Sequence, residues 1–391
     1  MSETPDNNER RSRALKILTA VFVAAGVIYA IWWAVHGRFH ESTDDAYVQG
    51  NVVQVTSQVA GSVVAIHVED TDFVKAGTLL VKLDEADTRV ALEQAEADLA
   101  RSVREVRGLF ASDAALAAEV MQREAELTRA REDLARRQTI ANTGAVSSED
   151  IQHATTALKT AEAGLTSARE QLNATRAMTA GTSIETHPNV KRTAARVKEA
   201  YLAQLRTSIL APVSGHVAKR SVQAGQRVAP GAPLMAVVPL DSLWADANFK
   251  EVQLAHMRVG QPVSIKADIY GGSVKYQGRI MGLGAGTGSA FALLPAQNAT
   301  GNWIKVVQRV PVRVALDPKE LAEHPLRIGL SLVADVDTSN RDGKPVAEAI
   351  RTEPAAATAV YGDRLKLAEA RVKEIIAANL VASREVSDKS H

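Results

Sequence analysis

A short pattern of glycine and valine occurs twice in this chain, once on each side of a long helical segment. Residues 59–80 align with residues 213–234 without a gap, and every shared residue is a glycine or a branched apolar residue. The repeat therefore keeps backbone turns and a buried face, but no reactive group. It predicts one small β-domain cut in two, with an α-helical hairpin inserted at the cut. The aligned pairs are Val59 with Val213, Gly61 with Gly215, Val63 with Val217, Val68 with Val222, Val74 with Val228, Gly77 with Gly231, and Leu80 with Leu234.

The charge balance and residue usage exclude several classes of function. The chain has 46 Lys and Arg against 45 Asp and Glu, so it offers no basic surface for nucleic acid. It has no cysteine, which excludes disulfides, thiolate metal sites and cysteine nucleophiles together. The histidines are scattered along the chain. We therefore predict a non-enzyme with no catalytic residue, no metal and no cofactor.

The N-terminal region predicts a membrane anchor at residues 17–35, which carry no charged side chain and approach the roughly 20 residues that span a bilayer. Trp32 and Trp33 lie near its end, where aromatic rings favour the interface. Basic residues precede it, so residues 1–16 are predicted to be cytoplasmic and the bulk of the chain periplasmic. The alternative is a cleaved secretory signal, but the apolar region is too long and no small-x-small site follows. The predicted location is the bacterial inner membrane, with a single span.

A long coiled-coil hairpin is predicted at residues 84–207, with its turn near residues 141–148. Apolar residues recur every seven positions on both sides of the turn, which is typical of a coiled coil. Gly144 suits a helix end, and Ser147 with Asp150 has the spacing of a capping box. The ladder positions are Leu92, Leu99, Val106, Val120, Leu127 and Leu134 outward, interrupted by Asp113, and Ile151, Leu158, Leu165 and Leu172 on the return.

The two arms are about equal, and each would reach on the order of 85 Å if fully helical. Equal arms favour a hairpin that packs on itself over the alternative of an intermolecular coiled coil. Residues 181–189, which contain Pro188, interrupt the returning arm and predict a kink or an irregular joint.

The remaining segments complete an elongated, multi-domain α+β protein. Residues 43–83 and 208–240 are predicted to form the two halves of the split β-sandwich, and residues 241–338 a small antiparallel β-barrel. Within the barrel region we expect strands at 243–249, 263–268, 276–282, 304–316 and 326–337, and a short amphipathic helix at 250–257. Residues 339–391 are predicted to be a loosely held C-terminal tail with one helical pattern at 363–379.

The half-motif resembles the two halves of biotinyl and lipoyl carrier domains, in which a lysine at the central hairpin carries the cofactor. Here Asp87 occupies that lysine's place, and Lys82 lies several residues too early. The sandwich is therefore expected to be lipoyl-like in fold without carrying a cofactor.

The anchor, split lipoyl-like domain, inserted hairpin and barrel together resemble the periplasmic membrane fusion proteins of tripartite efflux and secretion systems, the HlyD/EmrA adaptor family. Three sequence runs are specifically similar to EmrA-type multidrug adaptors. The resemblance covers about residues 10–338. The runs are TDDAYVQG at 43–50, DANFKE at 246–251, and GTGSAF at 286–291 with LPAQNATGNWIKVVQR at 294–309.

The resemblance implies a non-enzymatic, oligomeric adaptor, a trimer or hexamer, that links two membrane proteins. Its partners would be an EmrB-like drug transporter of the major facilitator superfamily and a TolC-type outer-membrane channel. Related adaptors dock on the channel through an Arg-x3-Leu-x6-Ser pattern at the hairpin tip. This chain has Arg136, Ile140 and Ser147 at that spacing, with Ile in place of Leu and Gly144 at the turn. Structural alternatives are a solvated face for Arg136 and a helix cap for Ser147.

A second candidate surface is the barrel loop at residues 284–303. Its apolar residues Phe291, Leu293, Leu294 and Trp303 would contact the transporter or the substrate near the membrane. The alternative is a loop packed against the strands near the anchor.

Two other functions stay open from the sequence. One is an adaptor of an ABC-driven type I protein secretion system. The other is an envelope-spacing coiled-coil protein without a role in transport.

Overall fold

The structure is a computed structural model, and it describes residues 7–35, 37–141, 145–288, 290, 291, 307–346, 352 and 354–381. The chain begins with α1 (Asn7–Val35), whose side chains are exposed from residue 14 onward. Within the described residues, one segment, Ala14–Phe39, has the length and hydropathy needed to cross a membrane. A single 3-10 turn at Gly37–Phe39 separates α1 from the first strand.

A six-stranded barrel follows α1 directly, and it closes in the order β1-β10-β13-β12-β11-β14. Inward-facing side chains such as Phe249, Ile265 and Tyr276 are fully buried in its core. Its strands are β1 (His40–Gln49), β10 (Trp244–Lys250), β11 (Pro262–Ala267), β12 (Lys275–Leu283), β13 (Arg309–Leu316) and β14 (Ser331–Asp337).

Two predictions for this region were wrong. Residues 43–49 do not belong to the split sandwich, because β1 pairs with β10 and β14 and thereby closes the barrel. The amphipathic helix predicted at 250–257 is instead a 3-10 helix, Glu251–His256. Gln253 holds it in place, since its side-chain amide donates to Glu41 Oε2 at 3.0 Å and to the Ser42 carbonyl oxygen at 3.1 Å.

The two copies of the repeat interleave in one sandwich of two four-stranded sheets. The sheet orders are β2-β9-β7-β4 and β6-β5-β3-β8, and each sheet takes two strands from each half. The aligned glycines Gly77 and Gly231 have φ of 86° and 83°, which explains why both positions are glycine. The strands are β2 (Val53–Thr56), β3 (Gly61–Ile66), β4 (Phe73–Val74), β5 (Leu79–Leu83), β6 (Ser208–Leu210), β7 (Gly215–Ala218), β8 (Arg227–Val228) and β9 (Pro233–Val238).

The segment between the halves is an antiparallel hairpin of α2 (Ala86–Ala141), α3 (Ser148–Thr179) and α4 (Pro188–Leu205). The 56 residues of α2 give it a length of about 84 Å. The predicted joint lies between α3 and α4, where buried His187 caps α4 by accepting the backbone N–H of Asn189 at 3.3 Å. Pro188 then occupies the first helical turn, where a backbone N–H would have no partner within the helix, so its absence costs nothing.

Residues 364–381 are not part of a loose tail, as the sequence had suggested for residues 339–391. After the short helix α5 (Pro318–Glu323) in the barrel region, residues 364–381 form α6 (Arg364–Val381). Helix α6 packs on α2 and α4 at the base of the hairpin. Arg371 makes a two-pronged ion pair with Glu96, at 2.7 and 2.9 Å. The residues of this three-helix base are Leu92, Leu99, Val103, Val106, Val190, Val197, Val372, Ile375 and Ile376.

Candidate functional site

The tip of the hairpin presents the final turns of α2 and the start of α3. Leu134 points into the seam between the helices and is buried, whereas Arg136 and Ile140 are exposed. Ile140 lies four positions after Arg136, so the two side chains share one face of the helix. This face places a cation beside an apolar group at the far end of the rod. Gly144, the fourth predicted tip residue, lies outside the described residues.

The guanidinium of Arg136 is only weakly held by its own protein. Among the described residues it makes one ion pair, to Asp133 Oδ1 at 3.4 Å, and its side chain is 72% exposed. Neighbouring Arg137 binds the other Asp133 oxygen at 2.9 Å and reaches across to the Asp150 carbonyl oxygen at 3.5 Å. Exposed pairs of this kind contribute about 0.2–1 kcal/mol, so Arg136 can exchange Asp133 for an outside acceptor at little cost.

Ser147 is engaged within the protein, because it is the N-cap of α3. Its hydroxyl donates to Asp150 Oδ2 at 2.7 Å and accepts from the Asp150 backbone N–H at 3.0 Å. The predicted capping box is confirmed. The hydrogen bond from the Ser147 hydroxyl lowers the pKa of the Asp150 carboxyl group. The local role of Ser147 is therefore to start the return helix at a fixed point, which the bond from Arg137 to Asp150 ties to the last turns of α2.

The described part of the barrel loop begins at the end of β12. The Gly284 N–H donates to the Pro311 carbonyl oxygen at 2.7 Å, which extends the ladder by one bond. The ring of Phe291 lies against Gly286, where an added Cβ would be 2.8 Å from the ring, yet the side chain is 73% exposed. Leu293, Leu294 and Trp303 lie outside the described residues.

Residues from three sequence runs meet in a polar cluster that the sequence analysis did not identify as a unit. Asp45 accepts from Arg309 Nη1 at 2.8 Å and from Asn248 Nδ2 at 3.1 Å. Thr43 donates its hydroxyl to the Asn248 carbonyl oxygen at 2.9 Å. The cluster ties β1, β10 and β13 together where the β1–β14 register shifts, between Thr43 and Ala46. The signal was present in the sequence, since these residues lie in the TDDAYVQG, DANFKE and final VQR stretches.

The chemistry of these sites is that of contact surfaces. Across the described residues, no three Asp, Glu or His side chains converge as a metal ligand set would. The tip offers a cation with an apolar neighbour, and the barrel loop offers an exposed aromatic ring. Both features suit binding to another macromolecule.

A family model described as "EMRA, alpha-helical hairpin domain" matches residues 86–207. The chain is 48% identical over 353 residues to the "Multidrug export protein EmrA" of Escherichia coli K12, which covers 90% of each chain. It is 42% identical to the protein of the same name from Haemophilus influenzae, over 96% of this chain and 95% of that one. It is also 48% identical to the "Fatty acid resistance protein FarA" of Neisseria gonorrhoeae, over 87% and 86% of the two chains.

Among solved structures, one described as "Structure of the periplasmic adaptor protein EmrA" overlays with a TM-score of 0.37 and 19% identity. That overlay covers 76% of this chain and 98% of the other. Since this score is too low to support a conclusion about the whole molecule, the assignment of the chain to a family depends on the sequence relatives.

Proposed function

This chain belongs to the EmrA family of membrane fusion proteins, and from that premise we propose that it links an EmrB-like transporter to a TolC-type channel. The chain is a multidrug efflux adaptor, anchored in the membrane and placed in the periplasm. Adaptors of this type work with inner-membrane transporters and outer-membrane channels. The finer assignment of partners, and the assembly into a trimer or hexamer, are our proposals. Residues 1–16 would then lie in the cytoplasm.

The observation that carries the proposal is a long helical rod built on a body next to the membrane. α1 leads into the barrel through a single turn, and the hairpin projects about 84 Å from the sandwich. A rod of this length can contact a partner distant from the inner membrane. One hairpin cannot enclose a passage for drugs, so several copies would pack side by side.

At the far end we propose that Arg136, Ile140, Gly144 and Ser147 form the channel-docking tip. Arg136 would donate to channel carbonyl or carboxylate oxygens, since guanidinium groups favour such acceptors. Ile140 would fill an apolar gap beside it. Ser147 would contribute by fixing the start of α3, because its hydroxyl already makes its hydrogen bonds with Asp150.

Near the membrane we propose that the barrel loop contacts the transporter or its substrate. Phe291 is the described member of that loop, and its exposed ring is a suitable apolar contact. Leu293, Leu294 and Trp303 would complete the surface. Deleting residues 290–296 should weaken co-purification of the transporter, whereas recovery at the level of the unchanged protein would contradict this assignment.

The tip is tested by Arg136→Asp, with Arg129→Asp as the matched control. Arg129 is exposed on the same helix seven residues earlier, so it lies on the same face about 10 Å farther from the tip. In a strain that depends on this adaptor, we expect Arg136→Asp to abolish drug resistance and Arg129→Asp to preserve it. Both variants should reach unchanged membrane levels. Equal resistance in the two strains would contradict docking through the tip.

Crosslinking in intact cells identifies both partners directly. The chain has no cysteine, so single cysteines at Ile140 and Phe291 carry a photocrosslinker without background labelling. We expect the tip position to capture an outer-membrane channel and the loop position an inner-membrane transporter. Capture of an ATPase-linked transporter from the loop position would favour the alternative of type I secretion.

A further inference from the structure

The barrel exposes its apolar side chains unevenly at its two ends. At the end where α1 enters, Val252 is 78% exposed, Val307 60% and Val346 61%. We name these three residues the anchor-facing rim. At the opposite end of the described barrel, Ile269 is 58% exposed. Exposed valines gathered on the side of the anchor indicate a surface that contacts something apolar.

The backbone pairing of β10 with β13 brings two of these valines to the same end of the barrel. Lys250 and Arg309 form the final register pair of β10 and β13. One step further, the Glu251 N–H donates to the Gln308 carbonyl oxygen at 3.2 Å. Val252 follows in the 3-10 helix Glu251–His256, and Val307 lies directly before Gln308, so both valines lie at this end of the barrel.

Val346 joins the rim through the segment that follows β14. The Val259 N–H donates to the Lys344 carbonyl oxygen at 3.0 Å, which places this segment beside the start of β11. At Gly343 an added Cβ would lie 2.5 Å from the Val259 carbonyl oxygen, so the segment is closely packed there.

The chain path sets how far this end of the barrel can lie from the bilayer. Five residue steps join Val35 to His40, which reach at most about 18 Å even when fully extended. Trp33 also packs against Gly37, where an added Cβ would be 2.8 Å from the indole ring. The Phe39 carbonyl oxygen accepts both the N–H and the hydroxyl of Thr338, at 2.7 and 2.8 Å. The barrel is thus fixed to the end of the anchor.

Cations outnumber anions among the exposed charged side chains at this end of the barrel. They are Arg38, Lys250, Arg341 and Lys344 against Glu251 and Asp342. An attraction to anionic lipid would therefore add to an apolar contact, which is why quenching is measured first in phosphatidylcholine alone.

We propose that the anchor-facing rim is a lipid-contact surface, with Val252, Val307 and Val346 seated in the interface of the periplasmic leaflet. The anchor would then hold the chain in the membrane, and the rim would set the tilt of the barrel on the surface. Shallow insertion of apolar side chains at the boundary between headgroups and acyl chains is a known mode of interfacial binding. The proposal rests on the membrane anchor and does not depend on which transporter or channel is bound.

The test uses the full-length protein in nanodiscs with a fluorescent label that responds to polarity. Single cysteines replace Val252, Val307 or, as the control at the other end of the barrel, Ile269. The natural absence of cysteine leaves each label at one site. With phosphatidylcholine that carries a nitroxide near the headgroup, we expect labels at 252 and 307 to lose most of their emission and to shift to the blue. The label at 269 should keep its emission.

Three outcomes would overturn the proposal. The first is equal quenching at 252, 307 and 269. The second is quenching at 252 and 307 only in nanodiscs that contain anionic lipid, since charge rather than the valines would then hold the rim. The third is protection of these labels only after the transporter is added, which would assign the surface to protein.

A second variant separates lipid contact from simple proximity. In a protein labelled at Val346→Cys, the double change Val252→Asp and Val307→Asp should remove most of the quenching at position 346. Ile269→Asp in the same background should leave that quenching unchanged. Unaltered quenching in the double variant would contradict a role for the two valines, provided that its thermal transition matches that of the unchanged protein.

Discussion

The base and the tip of the hairpin are built from the same heptad pattern, yet they are packed very differently. At the base, Leu99 and Val106 are 0% and 1% exposed, because α4 and α6 both pack on α2 there. Toward the tip, α3 is the one described helix that packs on α2, and Leu134 is 9% exposed. The third helix therefore stiffens the rod where it leaves the body and leaves the far end with a two-helix seam and an exposed contact face.

The largest expected effect is a core truncation at the base. Leu99→Ala should destabilise the base by about 2–5 kcal/mol, because three helices surround the cavity and cannot all close on it. The matched change Leu134→Ala near the tip should cost less, since the two-helix seam can relax. Hydrogen exchange of α2 amides in the full-length protein measures both losses. Equal losses would mean that the third helix adds nothing to the packing.

Undocking α6 should loosen the base of the hairpin without affecting the tip. Ile376→Asp places a carboxylate at a position that is 7% exposed, and we expect it to cost about 2–3 kcal/mol and to undock α6. Exchange should then rise at residues 92–106 and stay unchanged at 127–134. Lys373→Asp, on the exposed side of the same helix, is the control. Trypsin should cleave the released helix in the first variant alone.

Asp113 interrupts the heptad pattern between the base and the tip. Replacing it with an apolar residue should reduce the difference in local stability between the two regions. Arg176 Nε lies 3.4 Å from Asp113 Oδ1, but the geometry is not that of a hydrogen bond, and this buried oxygen has no other partner among the described residues. Asp113→Leu should therefore stabilise the middle of the hairpin by about 1–2 kcal/mol. Slower exchange on both sides of position 113 is the expected readout. Faster exchange would indicate that the pair sets the register of the hairpin.

The smallest effect concerns the tip alone. Ser147→Ala removes the cap of α3 and should cost about 1 kcal/mol, with faster exchange confined to the first turn of that helix.

The contact between Ser147 and Asp150 is also sensitive to acid. Because the folded pKa of Asp150 lies below its ordinary value of 3.8, its stabilisation is present above that value and is lost as the pH falls through the folded pKa. Exchange at the tip should therefore accelerate below about pH 4 before the base responds. Simultaneous acceleration in both regions would contradict a local effect.

The hairpin was predictable because its signals are local. The seven-residue period, the Ser147 cap and Pro188 at the joint each act within a few turns of helix. The lipoyl-like sandwich was also predictable, since its repeat supplies two aligned sets of buried valines.

The two main errors concern segments whose partners lie far along the chain. The sequence of α6 shows one apolar face, with Val372, Ile375 and Ile376. The residues near it in sequence do not indicate which helices cover that face. In β1 the alternation of buried and exposed residues suits a barrel and a sandwich equally. Its pairing with β10 and β14, more than 190 residues away, shows that it joins the barrel.

The closure of the barrel has a consequence for the biogenesis of the protein. β1 leaves the membrane first, but the contact between Asp45 and Asn248 spans 203 residues and that between His40 and Asp335 spans 295. Contacts so distant in sequence form late. During translocation β1 therefore stays unpaired until the sandwich, the hairpin and the later barrel strands have emerged. A chain cut short before β14 would leave an open sheet edge beside the bilayer, exposed to aggregation and to proteases.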